Sequence, residues 1–261
     1  MKNENHLMPV FFFGHGSPMN AIEENEFTTG WRNAVKSIST PVAVLCISAH
    51  WETKGTQVTA MGKPATIHDF GGFPRELYEV QYPAPGSPET AELIKEILSN
   101  TEVSLDHSWG LDHGCWSVVK HLFPKAEVPV LQLSLDYFKR PADHVKIASQ
   151  LNLLREKGIL IIGSGNMIHN LRAVDWNKPV GGFDWAVKAN EKLKRLIADN
   201  DIKSLSDYKS LGGEVALSVP TPEHFLPVLY ALALKRQSEE VTFFNDRLIM
   251  GSLSMTSFSI S

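Results

Sequence analysis

Five of the ten histidines of the chain lie in turn-like contexts with Gly, Ala, Asp, Asn or Pro within two residues, outside apolar runs. They are His15, His50, His113, His169 and His224. Imidazole is the commonest protein ligand for metals such as zinc and ferrous iron, and loops on a rigid scaffold often carry such groups. Any one of these residues alone could be an ordinary surface or core histidine. Together they favour a metal site that is assembled by folding.

The segments between these histidines alternate between two patterns. Short apolar runs that read as buried strands cover residues 10–13, 42–48, 128–133 and 159–162. Helical patterns cover 27–38, 90–98, 141–156 and 183–197, and Ser87-Pro88-Glu89 supplies an N-cap, a first-turn proline and an acid for the second of them. This alternation predicts an α/β sheet with helices on both faces.

The carboxyl-terminal part has a different pattern. Residues 241–244 and 248–261 are rich in strand-forming residues with no helix between them, which predicts an antiparallel hairpin added to the sheet. No repeat, low-complexity tract or linker divides the chain. We therefore expect one catalytic domain over residues 1–261, with a central mixed, largely parallel sheet flanked by helices.

In such sheets, ligands bind beyond the carboxyl ends of the strands. His15, His50 and His169 each follow an apolar run directly or after a short loop, so parallel strands would bring all three to one edge. Residues 66–78 contain His68, Phe70 and two glycines but no clear periodicity, which makes this segment a candidate lid.

His224 is placed by a predicted helix start. Thr221-Pro222-Glu223 reads as an N-cap, a first-turn proline and an acid of a helix that continues to Leu234. The positive end of the helix dipole would then disfavour the imidazolium form of His224 and keep the ring available to a metal.

The roles of His113 and His169 stay open between metal ligand and acid/base group, because an imidazole also exchanges protons near neutral pH. His6, His107, His121 and His144 read as solvated or core histidines, and His68 is undecided. Cys115, close to His113, reads as a buried structural cysteine more readily than as a nucleophile. The chain has no Gly-x-Ser-x-Gly elbow, Walker loop or His-Glu-x-x-His helix.

Composition narrows the choice of partners and compartment. The 25 basic and 29 acidic residues give a formal net charge of −4, and no basic stripe is present, so neither nucleic acid nor an anionic membrane is an expected partner. Two cysteines provide no disulfide framework, which fits a reducing cytoplasm. The apolar run at residues 8–13 is too short for a signal or a membrane span. We expect a cytoplasmic protein; its oligomeric state is left undetermined.

Six segments together, in this order, resemble the extradiol aromatic-ring-opening dioxygenases of the protocatechuate 4,5-dioxygenase beta-subunit superfamily, in the branch of the bacterial and plant DOPA dioxygenases. The resemblance covers nearly the whole chain. The segments are Gly14-His15-Gly16-Ser17-Pro18, Ser48-Ala49-His50-Trp51, residues 78–86, Gly110-Leu111-Asp112-His113-Gly114, residues 163–170, and Pro220-Thr221-Pro222-Glu223-His224-Phe225.

The resemblance implies a mononuclear metal enzyme that opens the ring of a DOPA-like catechol with O2. It implies ferrous iron for catalysis, with zinc often present after purification. It further implies that His15, His50 and His224 are ligands, and that His169 is a fourth ligand or an acid/base residue. His113 then resembles a histidine that assists the substrate or oxygen. Better-known members use two histidines and a glutamate, so the third ligand is open between His224 and the adjacent Glu223.

Two other functions are compatible with the same residues. An all-histidine site also suits a zinc hydrolase, because zinc-bound water is a nucleophile at neutral pH. A non-catalytic binding protein is the other, since the Memo-like branch of the superfamily has a similar fold. For the dioxygenase, we expect a catechol pocket with an aromatic wall, for which Trp51, Phe70 and Trp109 are candidates.

Overall fold

The computed structural model describes residues 7–261, so the prediction for His6 lies outside the described residues. The strands are β1 (Val10–Gly14), β2 (Ala43–Ser48), β3 (Glu52–Thr53), β4 (Thr56–Thr59), β5 (Val103–Asp106), β6 (Val130–Gln132), β7 (Leu135–Asp136), β8 (Ile159–Gly165), β9 (Val241–Phe244), β10 (Leu248–Ile249), β11 (Leu253–Ser254) and β12 (Ser257–Ile260). The α-helices are α1 (Glu26–Ala34), α2 (Arg75–Tyr78), α3 (Pro88–Ile97), α4 (His113–Leu122), α5 (Pro141–Gln150), α6 (Asn152–Glu156), α7 (Asp184–Ala198), α8 (Ile202–Ser206), α9 (Gly213–Ser218) and α10 (Leu226–Ala233).

The central sheet has the strand order β6-β2-β8-β1-β12-β9. Strands β6, β2, β8 and β1 are parallel, and β12 joins β1 in the antiparallel sense. The predicted mixed, largely parallel sheet is therefore confirmed. Its parallel strands end at Gly14, Ser48 and Gly165, so the segments that follow them begin at the same edge.

Alternating side chains of the central strands enter two separate cores, one on each face of the sheet. Along β1, for example, Val10 and Phe12 belong to one core and Phe11 and Phe13 to the other. All four are buried, as the strands' continuous apolar runs require. Helices thus cover both faces, and the single α/β domain expected from the alternation is confirmed.

The carboxyl-terminal strands are also confirmed as an antiparallel addition, with one difference in detail. β9 pairs with β12 at the edge of the sheet, while β10 and β11 form a small hairpin of their own between them. The helix predicted over 141–156 is divided into α5 and α6 around Leu151. Ser87 caps α3, with Pro88 in its first turn, as predicted. Within residues 7–261, no helix has the length and apolarity needed to cross a bilayer.

Candidate metal centre

Five imidazole rings meet at the carboxyl edge of the parallel strands. The ring centroids of His15, His50 and His224 form a triangle with sides of 5.0, 5.4 and 4.9 Å. The ring of His113 lies 3.8 Å from that of His50, and His169 stacks on His224 at 3.5 Å. All five histidines singled out by sequence are therefore brought together.

His15 is held by the strand beside its own. It directly follows β1, and its backbone N–H donates to the carbonyl of Gly165 at the end of β8, 3.0 Å away. Its ring Nδ1 lies 3.0 Å from Oγ of Ser164, whose hydroxyl donates to the carbonyl of Gly114. His15 is only 2% exposed. This environment fixes the ring with Nε2 as the nitrogen that remains for a metal.

His50 lies two residues beyond β2 and is supported by a buried polar network. Its backbone N–H donates to Oγ of Ser48, and that hydroxyl donates to the carboxylate of Asp112 over 2.6 Å. The amide of Gln132 donates to the other Asp112 oxygen. Asp112 also caps α4, which begins at His113. The network therefore couples the backbone at His50 to that at His113.

Two glycines allow the segments to approach this closely. A Cβ atom on Gly114 would lie 2.5 Å from Oγ of Ser48 and 2.8 Å from Cδ2 of His50. A Cβ atom on Gly165 would lie 2.2 Å from the carbonyl oxygen of His224. Because these contacts are sterically forbidden, a side chain at either position would displace one of the histidine segments.

The predicted helical position of His224 is wrong, because α10 begins only at Leu226. The carbonyl of Pro222 accepts from the backbone N–H groups of both Phe225 and Leu226, and this turn precedes the helix. Pro227, rather than Pro222, is the first-turn proline. The Nδ1 atom of His224 lies 3.1 Å from a carboxylate oxygen of Glu223. His224 is thus positioned by a turn and a carboxylate instead of by a helix dipole.

Asp69 is a residue of the centre that the sequence analysis missed. Its carboxylate accepts from the backbone N–H of His113 at 2.8 Å, and its second oxygen lies 2.9 Å from His113 Nδ1 and 3.7 Å from His50 Nδ1. Asp69 lies inside the candidate lid, the segment 66–78. The lack of periodicity in this segment is the available sequence signal, but it does not distinguish Asp69 from the aromatic residues, the glycines and Glu76 of the same segment.

Burial favours the neutral imidazole form of His15, His50, His169 and His224. It is the largest cause of the lowered pKa values of His15 and His224, followed for both by repulsion from neighbouring histidines. Burial and the neighbouring His113 lower the pKa of His50 to about 3, and burial lowers that of His169 to about 4. For Asp69, burial opposes ionisation, but the contacts with His113 outweigh it and lower the pKa of the carboxyl. Neutral imidazole is the form that binds metals.

The arrangement of nitrogen atoms fits a metal ion. Nε2 of His15 and Nε2 of His50 lie 3.2 Å apart, while the other ring nitrogen of each histidine is directed to an oxygen. Two nitrogens bound about 2.1 Å from one zinc ion at a near-tetrahedral angle would be separated by roughly this distance. The ligand atoms of His15, His50 and His113 lie within 4.8 Å of one another, as do those of His169, Glu223 and His224. The residues present can therefore hold a metal.

A cavity of about 630 Å³ opens onto all five histidines. Phe70 and Phe73 contribute aromatic walls, and the Phe70 ring meets the His113 ring edge-on at 5.5 Å. Trp51 and Trp109, the other candidate wall residues, do not line this cavity. Their rings stack on each other instead, with centroids 5.8 Å apart. A larger groove of about 730 Å³, around Val145 and Leu226, contains none of these histidines.

The remaining candidates lie outside the centre. Nε2 of His68 donates to the carbonyl of Val80 over 2.9 Å, and the ring packs among aromatic rings. His121 and His144 are buried with partners of their own, and His107 is exposed. Cys115 is a free, fully buried cysteine whose thiol pKa is raised by burial, which agrees with a structural role.

Comparison with known proteins places the chain in a family. Residues 6–247 match the model of the catalytic LigB subunit of aromatic ring-opening dioxygenase. The chain belongs to this family. The 4,5-DOPA dioxygenase extradiol of Escherichia coli (strain K12) is 44% identical over 97% of this chain and 94% of its own length. The protein of the same name from Beta vulgaris is 32% identical, over 100% of this chain and 99% of its own.

A solved structure extends the similarity to the fold. The crystal structure of an uncharacterized protein from Escherichia coli K12 is 39% identical and has a TM-score of 0.85, covering 97% of this chain and 100% of that chain. The family match and the similarity to these relatives show that the chain is an extradiol aromatic-ring-opening dioxygenase, as its sequence motifs predict. Members of this family are metal-dependent and act on an aromatic diol with O2. Membership favours this activity over the zinc hydrolase and the non-catalytic binding protein.

Proposed function

We propose that the chain opens the ring of a DOPA-like catechol with ferrous iron held by His15, His50 and His224. The observation that carries this ligand set is the triangle of 5.0, 5.4 and 4.9 Å between their rings, at the floor of a cavity with aromatic walls. The names of the relatives support DOPA as the type of substrate. His169, stacked on His224, is a candidate both for a fourth ligand and for an acid/base residue.

Ferrous iron, when bound, supplies coordination positions for both catechol oxygens and for dioxygen, together with the electron transfer that zinc does not provide. The chain's own residues bind and orient the diol. Phe70 and Phe73 offer apolar contact to the aromatic ring and displace water from it. This positioning holds the reacting groups together and lowers the entropic part of the barrier.

His113 is the proposed acid/base residue nearest to His50, with His169 as its counterpart beside His224. Asp69 contacts His113 through Nδ1, which leaves Nε2 to take a proton from a catechol hydroxyl and to return it later. Glu223, adjacent to His224, is proposed to orient that ring through Nδ1 and not to replace it as a ligand.

The test compares two metal forms of the same protein. Metal is removed with a chelator, and the protein is reloaded anaerobically with ferrous iron or with zinc. Histidine-rich sites bind zinc more tightly than ferrous iron, so protein purified in air is expected to contain zinc. We expect the iron form to consume O2 with DOPA or 4-methylcatechol and to form a yellow semialdehyde, and the zinc form to do neither. Fully iron-loaded protein that consumes no O2 with any catechol would contradict the proposal.

A further inference from the structure

Within residues 7–261, the residues that line the cavity over the centre include one acidic side chain and no basic one apart from the histidines. Among the described residues that line it, no lysine or arginine occurs, and Glu23 is the only one with a formal charge apart from the histidines. Glu23 is exposed, which puts this lining residue on the solvent side of the cavity. Within the described part of the chain, it makes no ion pair.

Two basic residues contact the chain on either side of Glu23, and each has a partner of its own. Arg32 pairs with Glu24, and Lys120 donates to the carbonyl of Ala21 over 3.0 Å. Arg172 follows the lining residue Leu171 but does not itself line the cavity. The acids at the floor, Asp69 and Glu223, add negative charge beside the histidines. The metal ion proposed for the floor would offset the acids there, so the formal charge that distinguishes the rest of the lining is the carboxylate of Glu23.

The wall beyond the histidines is apolar. Leu171, Val174, Ile249 and Leu253 line it, and Trp176, which is 79% exposed, stands at the opening. A carboxylate on the arm of a catechol would lose water against this wall and gain no hydrogen-bonded counter-ion. An alkyl arm would bury its methylene groups there, and an ammonium at the end of such an arm would meet a carboxylate.

We propose that the enzyme selects catechols whose side arm is neutral or positively charged, and that Glu23 is the residue that disfavours a carboxylate arm. This inference rests on the proposed catechol dioxygenase function and refines it. DOPA carries both an ammonium and a carboxylate, and only its ammonium finds a matching charge. Amine-bearing catechols without a carboxylate are therefore the favoured substrate class.

The experiment compares three catechols whose arms have similar length and different charge. They are dopamine with a cationic arm, 4-propylcatechol with a neutral arm, and 3-(3,4-dihydroxyphenyl)propionate with an anionic arm. The measurements are kcat/KM for the iron-loaded protein and, independently of turnover, Kd for the zinc-loaded protein by calorimetry. We expect the cationic or neutral arm to exceed the anionic arm in both by about tenfold, as for one partly screened charge pair. DOPA should fall between dopamine and the anionic compound.

Variants assign the effect to Glu23. Glu23→Gln should reduce the ratio of kcat/KM for dopamine to that for the anionic compound by about tenfold, and Glu23→Lys should invert the preference. Glu24→Gln is the matched control, because Glu24 is the next residue, carries the same charge and pairs with Arg32 instead of lining the cavity. It should leave the ratio unchanged. Raising the salt concentration should shrink the ratio for the parent protein but not for Glu23→Gln.

The outcomes separate the two proposals. If catechols react and the anionic arm is used as well as or better than the others, the selectivity inference is wrong and the dioxygenase function stands. If Glu24→Gln changes the ratio as much as Glu23→Gln does, Glu23 is not the selecting residue. If no catechol reacts with the iron form or binds to the zinc form, the proposed function fails and the inference falls with it.

Discussion

The strand side and the loop side of the metal centre are built differently. On the strand side, His15 and His50 follow β1 and β2 closely, and hydroxyl groups of the strand residues Ser164 and Ser48 contact them. On the loop side, His113 and His224 follow turns, and their Nδ1 atoms face the carboxylates of Asp69 and Glu223. The parallel sheet thus fixes the backbone at one pair of histidines, whereas the rings of the other pair contact carboxylates, one from the separate segment at Asp69 and one from the adjacent Glu223.

The difference suggests a division of work between the two sides. On the strand side, the hydroxyl contacts to the His15 ring and to the His50 backbone are neutral and rigid, which suits ligands that must hold a metal in one place. On the loop side, the carboxylate of Asp69 can stabilise an imidazolium at His113, which suits proton transfer during the reaction, while the carboxylate of Glu223 orients the ring of His224. The loop segments also contribute Phe70 and Phe73 to the cavity, so the loop side contacts the substrate as well.

The strongest test of this comparison removes a ring from the strand side. We expect His15→Gln and His50→Gln to lose nearly all bound metal and, with it, oxygen uptake, because two remaining imidazoles do not hold an ion in a stable site. Metal content by mass spectrometry and oxygen uptake measure the two effects. His107→Gln, a change of the same kind at an exposed histidine, should retain both. Full metal content in His15→Gln would show that the strand side is not the metal-holding side.

A smaller effect is expected on the loop side, from Asp69→Asn. This change keeps the size of the side chain but removes the negative charge next to His113, so we expect kcat to fall about 10- to 100-fold with most of the metal retained. Glu76→Gln is the control, since Glu76 is an exposed acid in the neighbouring helix α2. If Asp69→Asn lost its metal as completely as His15→Gln, the division between the two sides would be wrong.

The sequence predicts the strand side of the centre better than the loop side. The strand ends, and hence the meeting of His15 and His50, follow from apolar runs whose boundaries are sharp. Asp69 could not be found, because it reaches His113 across 44 residues of chain through a loop without periodicity. The start of α10 was misplaced by four residues, because Pro222 and Pro227 offer the same local signal and only the tertiary turn at Pro222 decides between them.

The same limit applies to the wall of the cavity. Phe70 lines it, as its position in the segment 66–78 suggested, but Trp51 and Trp109 prefer to stack on each other. Pairing between aromatic rings from distant segments has no local pattern in sequence. Family resemblance supplied the activity, which the histidines alone left open between an oxygenase, a hydrolase and a binding protein.

The smallest predicted effect concerns His144, a buried histidine outside the centre whose Nδ1 lies 3.0 Å from the Tyr230 hydroxyl. Burial, together with the nearby Lys139, lowers the pKa of His144 to about 4. Asp136 and Asp143 act in the opposite direction but do not outweigh burial. His144 binds a proton more readily in the unfolded chain than in the folded protein. The free energy of unfolding therefore decreases as pH falls from about 6.5 towards 4.

The metal-free protein should therefore lose about 2 kcal/mol more between pH 7 and pH 4.5 than a His144→Phe variant does. Urea unfolding at the two pH values measures the difference, and chelator in both samples removes any contribution of the metal. Equal losses in the two proteins would mean that His144 is not buried as a neutral ring. The control Ser149→Ala, at an exposed position of the same helix, should behave like the parent protein.

The central claim is that the strand side supplies two metal ligands and that the turn at His224 supplies the third. A crystal structure of metal-loaded protein tests this claim most directly. Anomalous scattering at the metal edge would locate the ion and identify its ligands. The account predicts one ion with ring nitrogens of His15, His50 and His224 about 2.0 to 2.2 Å away, and His113 beyond bonding distance. An ion bound by His15, His50 and His113, with His224 left free, would contradict the account, as would an ion placed away from these rings.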